Sequence, residues 1–187
     1  MPRDYNYTFA RLSDLPSIHA LYADHFGEEV PSIDLMRSWL SRCKTCFALV
    51  NRVVRRNGLV TEQQLVGSFK LLPLTKAGIE AIERGTATGS SFRPEHISTN
   101  KKRSVVAYYV GDVVGTTRRA RGMVILYLRA ACNDIQLPLY ARPLTEDGVR
   151  VMMKYGFTHI SNITRQPEIG RMCKREGKAA TSKSFVD

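Results

Sequence analysis

The sequence of 187 residues lacks any apolar run close to the roughly 20 residues that a helix needs to cross a bilayer. Its first residues are polar where a signal peptide would be apolar. These absences favour a cytoplasmic protein without a membrane partner. Disorder of the whole chain and a collagen-like fibre are also excluded, because 43% of the residues are hydrophobic and 24% are charged. The length fits one globular domain.

Cysteine and histidine are scarce, with four of each. Cys43 and Cys46 have the C-x-x-C spacing of half a zinc site, but no second C-x-x-C or histidine pair follows them. The sequence therefore predicts reduced thiols and no metal site. The histidines match no metal or protease motif, so we assign no chemistry to the scattered His19, His25, His96 and His159.

Charge is unevenly distributed along the chain. Lys and Arg number 28 against 17 Asp and Glu, which gives a net charge of +11. Residues 1–50 carry 5 basic and 6 acidic side chains, whereas residues 101–187 carry 16 basic and 7 acidic ones. A positive C-terminal half favours an anionic partner, which leaves nucleic acid, a membrane surface and a phosphate-rich cofactor as alternatives.

The first half of the chain shows the periodicity of strands and amphipathic helices. Aromatic residues alternate with polar ones over residues 5–9, which predicts a strand. Residues 13–26 and 32–43 repeat apolar side chains at helical spacing after serine caps, which predicts two helices. Residues 46–55 and 64–72 then predict a hairpin, with a loop longer than a two-residue turn.

The second half returns to a dense apolar pattern. Strands are predicted at residues 104–114, 137–144 and 157–161, and helices at 122–133 and 145–155. The order of elements is therefore β-α-α-β-β, an insert, and then β-α-β-α-β. This order predicts a single-domain α/β fold in which helices flank a mixed β-sheet.

Residues 75–102 interrupt this pattern. A short helical piece with Ile79 and Ile82 stops at Gly85, and a stretch rich in Gly, Ser and Thr follows. A connection of this length predicts either a substrate-facing loop or a solvated excursion.

The turn between the fourth strand and the next helix carries the clearest functional signal. Its sequence is Gly115-Thr-Thr-Arg-Arg-Ala-Arg-Gly122. A strand, a Gly- and Arg-containing turn and a helix N-terminus form an anion cradle, because backbone N–H and guanidinium groups face the same guest. The turn has neither the Gly-Lys-Ser/Thr of a P-loop nor G-x-G-x-x-G, which argues against nucleoside triphosphates and dinucleotides. We expect Arg118, Arg119 and Arg121 to bind phosphate.

The element order and this turn resemble the GNAT acyltransferases (Gcn5-related N-acetyltransferases). That family binds the acyl-CoA pyrophosphate with Gln/Arg-x-x-Gly-x-Gly/Ala after its fourth strand, where this sequence has Arg119-Ala-Arg-Gly122-Met-Val124. Gly156-Phe157 matches the end of the family's late helix. The resemblance implies a GNAT-like domain at 1–163, including the insert at about 75–102, and a basic C-terminal tail at 164–187.

The resemblance also implies a co-substrate, acetyl-CoA or another acyl-CoA, and no metal. Val124 stands where the family prefers Gly or Ala, so we expect a tighter cradle. The implied acyl-CoA-binding residues are Val113, Val114, Arg119, Ala120, Arg121, Gly122, Met123, Val124 and Thr145.

Catalytic residues follow less directly from the resemblance. Met152 stands where the family commonly has the tyrosine that protonates the departing CoA thiolate. Tyr155 lies near that position on a 3.6-residue helix and is the candidate acid. Tyr108, Tyr109 and Asp112 on the fourth strand are candidates for the base. Transfer survives loss of the acid, since a thiol with a pKa of about 8.5 leaves as a thiolate without full protonation.

The activity that the resemblance implies is transfer of an acetyl group from acetyl-CoA to a primary amine by direct attack. Small amines, peptide N-termini, protein lysines and charged tRNA are all acceptors that it allows, and it also allows a homodimer. The alternative is a module of the same fold that binds acyl-CoA or nucleic acid without turnover, as Met152 and the net charge of +11 suggest. Nucleic acid is not the favoured partner, because a phosphate-rich co-substrate already accounts for the arginine turn.

Overall fold

The computed structural model describes residues 4–57, 59–99, 104–160 and 167–177. Its strands are β1 (Tyr5–Phe9), β2 (Phe47–Arg56), β3 (Leu59–Leu74), β4 (Ala107–Gly115), β5 (Leu139–Ala141), β6 (Thr158–His159) and β7 (Cys173–Arg175). Its α-helices are α1 (Leu15–Phe26), α2 (Ile33–Arg42), α3 (Lys76–Glu83), α4 (Arg118–Asn133) and α5 (Glu146–Lys154).

The strands form one mixed sheet in the order β1-β2-β3-β4-β5-β7-β6. Only β4 and β5 pair in parallel, and all other neighbours are antiparallel. The predicted α/β class with a mixed sheet and flanking helices is therefore confirmed. Within the described residues, none of the helices combines the length and apolarity that crossing a bilayer requires.

Helices cover both faces of the sheet, because alternate strand residues point to opposite sides. On one face, α1, α2 and α3 pack on Phe47 and Leu49 of β2, with Trp39 fully buried at the centre. On the other face, α4 packs Val124 and Tyr127 against Ala48 and Val50 of β2 and their neighbours on β3. The sheet is thus the middle layer of three, and a gap between two of its strands connects the two sides.

The two predicted helices of the first half are confirmed, although α1 begins at Leu15 and its N-cap residue, Asp14, makes no capping hydrogen bond through its side chain. Ser32 caps α2 by accepting a hydrogen bond from the Leu35 N–H (3.3 Å). Gly27 ends α1 with φ +60, in the left-handed region where a side chain would be strained.

Several boundaries differ from the sequence prediction, including those of the strands predicted at 104–114, 137–144 and 157–161, which are observed as β4, β5 and β6. The hairpin loop is shorter than predicted, because β2 reaches Arg56 and β3 begins at Leu59. The helix predicted from Gly122 begins at Arg118, because Thr117 caps it by accepting from the Ala120 N–H (3.1 Å). The arginines of the predicted turn consequently lie within the first two turns of α4.

A strand that the sequence analysis missed lies inside the predicted basic tail. Cys173–Arg175 form β7, which pairs with both β5 and β6 and so separates them. Three residues of mixed polarity carry no period that distinguishes a strand from a loop. Of the predicted tail at 164–187, residues 164–166 and 178–187 lie outside the described residues, as do residues 161–163.

The insert packs on the domain over its described residues 75–99. Phe92 and Ile97 are fully buried, and their carbonyls accept hydrogen bonds from Trp39 Nε1 and Arg42 Nε, both at 2.8 Å. A solvated excursion would expose these side chains, so that alternative is wrong for this part of the insert.

The contact of α4 with β3 depends on the absence of a side chain at Gly67. A Cβ there would overlap the Val124 methyl and lie 2.7 Å from the Val114 carbonyl oxygen. Val124, where GNAT proteins prefer a smaller residue, is thus accommodated by a glycine on the neighbouring strand.

We expect Gly67→Ala to lower the free energy of unfolding by about 2 kcal/mol or more, as overpacking against side chain and backbone does. Gly122→Ala is the matched control, because a Cβ at Gly122 meets no atom within 4 Å. Within a helix, the exchange of glycine for alanine raises the free energy of unfolding by about 0.5–1 kcal/mol. Urea unfolding of both variants measures the difference, and equal stabilities would contradict the packing described here.

Candidate active site

A gap opens between β4 and β5. The two strands pair over three positions only, from Tyr108 with Leu139 to Val110 with Ala141. Beyond this point β4 continues to Gly115, whereas the chain after β5 leaves the sheet through Pro143 toward α5. The two strands therefore separate, and the backbone of β4 beyond Val110 has no strand partner on this side.

An irregularity in β4 lies at this gap. Lys70 of β3 pairs with Gly111 and Ser68 pairs with Val114, so Asp112 and Val113 stand opposite the single residue between them. This is a β-bulge, and Asp112 within it has φ +49. A bulge leaves backbone groups outside the ladder and re-aims side chains, both of which are common at functional sites.

A cleft of about 790 Å³ occupies the gap. Its lining includes Gly111–Gly115 of β4, the first turns of α4, and much of α5. His25, Phe26 and Glu29 at the end of α1, together with Gly89 and Ser90 of the insert, line it as well. Since α1 and α4 lie on opposite faces of the sheet, the cleft passes through the sheet.

The α4 end of the cleft is strongly basic. Arg118, Arg121, Arg129 and Arg150 line it, and Asp147 is the acidic residue among the described lining residues there. Asp147 is held by Arg150, whose hydrogen bond and charge lower the pKa of the Asp147 carboxyl. Among the described residues, no acidic side chain forms an ion pair with the remaining three arginines.

The N-terminus of α4 opens on the same basic end. Its first intrahelical hydrogen bond runs from the Arg121 N–H to the Thr117 carbonyl (2.8 Å), so earlier N–H groups have no helical partner. Gly115 lets the turn approach the helix closely, because a Cβ there would lie 2.5 Å from the Arg121 nitrogen. Gly122 leaves open space beside these groups.

Most of the predicted acyl-CoA-binding residues come together at this cleft. The lining contains Val113, Val114, Arg121, Gly122, Val124 and Thr145. Thr145 also caps α5 by accepting from the Gly148 N–H (3.1 Å).

Three other predicted residues point away from the cleft. Arg119 forms an ion pair with Asp4 (3.5 Å) and lies over the ring of Tyr5 (5.4 Å), at the edge of the sheet. Ala120 and Met123 are buried against the sheet. Successive helical residues are turned by about 100°, so a contiguous motif cannot place every member on one face.

A buried ion pair joins the floor of the cleft to the insert. Lys70 is fully buried, and its Nζ lies 2.5 Å from Asp112 Oδ2. The same ammonium donates to the Gly89 carbonyl (2.7 Å) and lies 4.8 Å from the centre of the Trp39 ring. The bulge of β4, the insert and α2 are thus held by one side chain, which the sequence analysis did not single out.

Tyr109, a predicted base, is packed behind this pair. Its ring contacts that of Phe92 (5.0 Å between centroids), and only 3% of the residue is exposed. Burial, together with the charge of Asp112, raises the pKa of the Tyr109 hydroxyl. A phenol with a raised pKa is a poorer proton acceptor at neutral pH. Tyr108 lies outside the lining, and burial raises its pKa too.

The two residues that bear on the leaving group, Met152 and Tyr155, both line the cleft from α5. Tyr155 is the C-terminal cap of that helix and is half-buried, packed against the buried cluster that includes Phe157 and Val110. The structure therefore brings Tyr155 to the same cleft wall as Met152, as the sequence analysis expected from their spacing.

The α1 end of the cleft was missed by the sequence analysis. His25 and Phe26 come from the last turn of α1, and Glu29 follows in the connection to α2. Glu29 forms an ion pair across the opening with Arg142 after β5 (2.8 Å). No sequence motif marks these residues, because only the fold brings the end of α1 to the gap.

Cys132 is the only cysteine among the described residues that line the cleft. Burial raises its pKa to about 11, so it is a neutral thiol at neutral pH and a weak nucleophile. Among the described residues, no group of three or more His, Cys, Asp or Glu could hold a metal ion.

No family model matches the chain, and no curated protein matches it either. Solved structures do match its fold. The loading GNATL domain of CurA from Lyngbya majuscula has a TM-score of 0.56 and 10% identity, covering 92% of this chain and 97% of that one. A mosquito arylalkylamine N-acetyltransferase (like 5b) has a TM-score of 0.55 and 12% identity, covering 91% of this chain and 99% of that one.

A third structure, histone acetyltransferase HPA2 and related acetyltransferase from Corynebacterium glutamicum, gives a TM-score of 0.54 and 11% identity, covering 95% and 99% of the two chains. At these identities the similarity shows the fold alone. The chain has the GNAT fold, as its sequence resemblance predicts.

We expect Lys70→Met to destabilise the protein by about 3–5 kcal/mol, because it leaves the Asp112 carboxylate buried without its partner. Adding Asp112→Asn to Lys70→Met removes the unpaired charge and should recover part of that loss. Chemical unfolding of the two single variants and the double variant measures the coupling. Strictly additive losses would show that the pair does not act as a unit.

Proposed function

We propose that the protein is an acyl-CoA-dependent N-acyltransferase that transfers the acetyl group of acetyl-CoA to a primary amine by direct attack. The observation that carries this proposal is the cleft that passes through the sheet between β4 and β5. Its basic end and its α1 end lie on opposite faces, so two different molecules can reach the same stretch of β4. Bringing two reactants to one point is the central requirement of a direct transfer.

The basic end fits the phosphates of CoA. Arg118 and Arg121 sit beside unpaired N–H groups of the α4 N-terminus, and Gly122 leaves room for an anion to approach the backbone. Guanidinium groups and helix N-termini are both favoured phosphate donors. Arg129 lies farther along the same helix and extends the basic surface for a ligand with several phosphates.

The middle of the cleft fits the reacting groups. The bulge at Asp112 and Val113 presents backbone of β4 that has no strand partner on the side of the gap. Backbone N–H groups fixed in a site of this kind stabilise the oxyanion that forms when an amine attacks a thioester, an effect worth about 3–4 kcal/mol per donor. Cys132, the one cysteine among the described lining residues, is a neutral thiol, which favours direct attack over an acyl-enzyme.

CoA departs in one of two ways: either its sulfur accepts a proton, or it leaves unassisted as a thiolate. Tyr155 lies on the same cleft wall as Met152. Among the described residues that line the cleft from α5 and its C-terminal end, it is the only tyrosine. We assign it the role of proton donor to the thiolate. Asp112 is neutralised by Lys70, and Tyr109 is packed behind Phe92, so we give both the role of shaping the floor rather than of accepting a proton.

The acetyl group and the primary amine are what the resemblance to the GNAT acyltransferases implies, and the resemblance also allows a homodimer. Binding of nucleic acid without turnover is the less favoured alternative, because a phosphate-rich co-substrate already accounts for the arginines at the basic end.

Acetyl-CoA should raise the melting temperature. At a concentration about 100-fold above Kd, a ligand specific to the folded state adds about 2.7 kcal/mol of stability, which is roughly 5–10 °C for a chain of this size. Arg118→Ala combined with Arg121→Ala should remove most of the shift. Arg119→Ala is the matched control and should keep it, because Arg119 faces Asp4 and Tyr5 outside the cleft. Absence of any shift in the wild type would contradict the proposal.

Tyr155→Phe should lower kcat for thiol release by about 10²-fold, the lower end of the range for general acid catalysis, with little change in KM for acetyl-CoA. Met152→Tyr in the Tyr155→Phe background should restore part of the rate, because it returns a phenol to the same wall. The assay follows release of CoA thiol with 2-phenylethylamine, putrescine and a short peptide as amines. A rate of Tyr155→Phe equal to that of the wild type from pH 6 to 9 would mean that the thiolate leaves unassisted or through water.

A further inference from the structure

His25 stands at the α1 end of the cleft, in the last turn of α1. About 30% of its side chain is exposed. Its Nδ1 lies 2.9 Å from the carbonyl oxygen of Leu21, one turn earlier on the same helix. The ring therefore turns its Nδ1 edge back to its own helix, and the residue lines the cleft.

The contact with Leu21 determines which nitrogen carries the proton. A carbonyl oxygen can only accept a hydrogen bond, so Nδ1 must be the donor. In the neutral imidazole only one nitrogen is protonated, and Nε2 then holds a lone pair. Neutral His25 is thus preset as a proton acceptor at Nε2.

The other ionisable groups at this end are engaged elsewhere. The Asp112 carboxylate is paired with Lys70 at 2.5 Å, and Glu29 is paired with Arg142 at 2.8 Å. Burial raises the pKa of both Tyr109 and Tyr22, so neither phenol accepts a proton readily as a phenolate. Asp24 lies 3.7 Å from His25 Nδ1, with 83% of its side chain exposed.

The charged groups near His25 are exposed to water or paired. The Asp24 carboxylate is mostly exposed, so water screens its charge. Arg142, at the same opening, is paired with Glu29, and Lys70 is paired with Asp112.

We propose that His25 is the general base of the transfer and accepts a proton at Nε2 from the acceptor ammonium. This inference rests on the proposed function. An acceptor R–NH₃⁺ gives one proton to Nε2, directly or through a water, and becomes a nucleophilic amine. The nitrogen then bonds to the thioester carbon, and the C–S bond breaks as CoA thiolate leaves. Tyr155 protonates the sulfur, the second nitrogen proton passes directly or through water to the Tyr155 oxygen, and His25 releases its proton to solvent.

This assignment also gives the class of acceptor. A base at this position serves an amine that arrives protonated, as alkylamines with a pKa well above neutrality do, like the lysine side chain. The adjacent Phe26 ring offers an apolar contact for the carbon next to the nitrogen. The inference therefore points to a primary alkylamine group and not to a weakly basic aromatic amine.

The test compares His25→Gln and His25→Ala with the wild type, with His19→Gln as the matched control. His19 lies on the same helix and does not line the cleft. We measure kcat/KM from pH 6 to 9 with acetyl-CoA and the amine of the panel that the wild type acetylates fastest. His25→Gln should lose about 10²-fold or more, and the rise of rate with pH that requires a neutral base should disappear. His19→Gln should match the wild type.

Two further measurements separate a base from a structural residue. Added imidazole should restore part of the rate of His25→Ala and leave that of His19→Gln unchanged. Long-range ¹H–¹⁵N NMR of the wild type should show the His25 ring with its hydrogen on Nδ1. A hydrogen on Nε2, or an active His25→Gln with the wild-type pH profile, would overturn this inference while leaving the proposed function intact. A wild type that binds acetyl-CoA but acetylates none of the panel would overturn both.

Discussion

The ion pair between the buried ammonium of Lys70 and Asp112 is the interaction on which the site depends. Removing an ammonium from water costs several kcal/mol, and the loss is offset only when every donor finds a partner. Asp112, the Gly89 carbonyl and the Trp39 ring supply those partners from β4, the insert and α2. The position of the bulge and the path of the insert are therefore not independent features. Each is fixed by the need to surround the same charge.

The two ends of the cleft differ in charge. On the α4 side, arginines exceed acidic groups, as a ligand with several phosphates requires. On the α1 side, the charges of Glu29 and Arg142 neutralise each other. An anionic ligand is thus attracted to one face and gains little at the other.

The sequence predicted what depends on local patterns. The caps of α2 and α5, the end of α1 at Gly27, the sheet class and the GNAT fold follow from residues that are close together in the chain. Arg119 shows where this approach stops, because a motif gives spacing but not the direction in which each helical side chain points. His25 and Lys70 show a second limit. The role of a lysine in an apolar strand depends on partners 19 or more residues away, and that of a lone histidine near the end of an amphipathic helix depends on the cleft to which the fold brings it.

The strand β7 has a consequence for how the chain is made. Residues 173–175 pair with the outer edge of β5, which forms one wall of the cleft, and leave the ribosome after every other described strand of the sheet. The antiparallel meander of β1 to β4 has its own contacts and can assemble during synthesis. The wall around β5 cannot be completed until the strand that covers it has emerged. Until then β5 presents an open backbone edge to any other extended chain, and the nascent protein has most need of a chaperone in the interval between the emergence of β5 and that of β7.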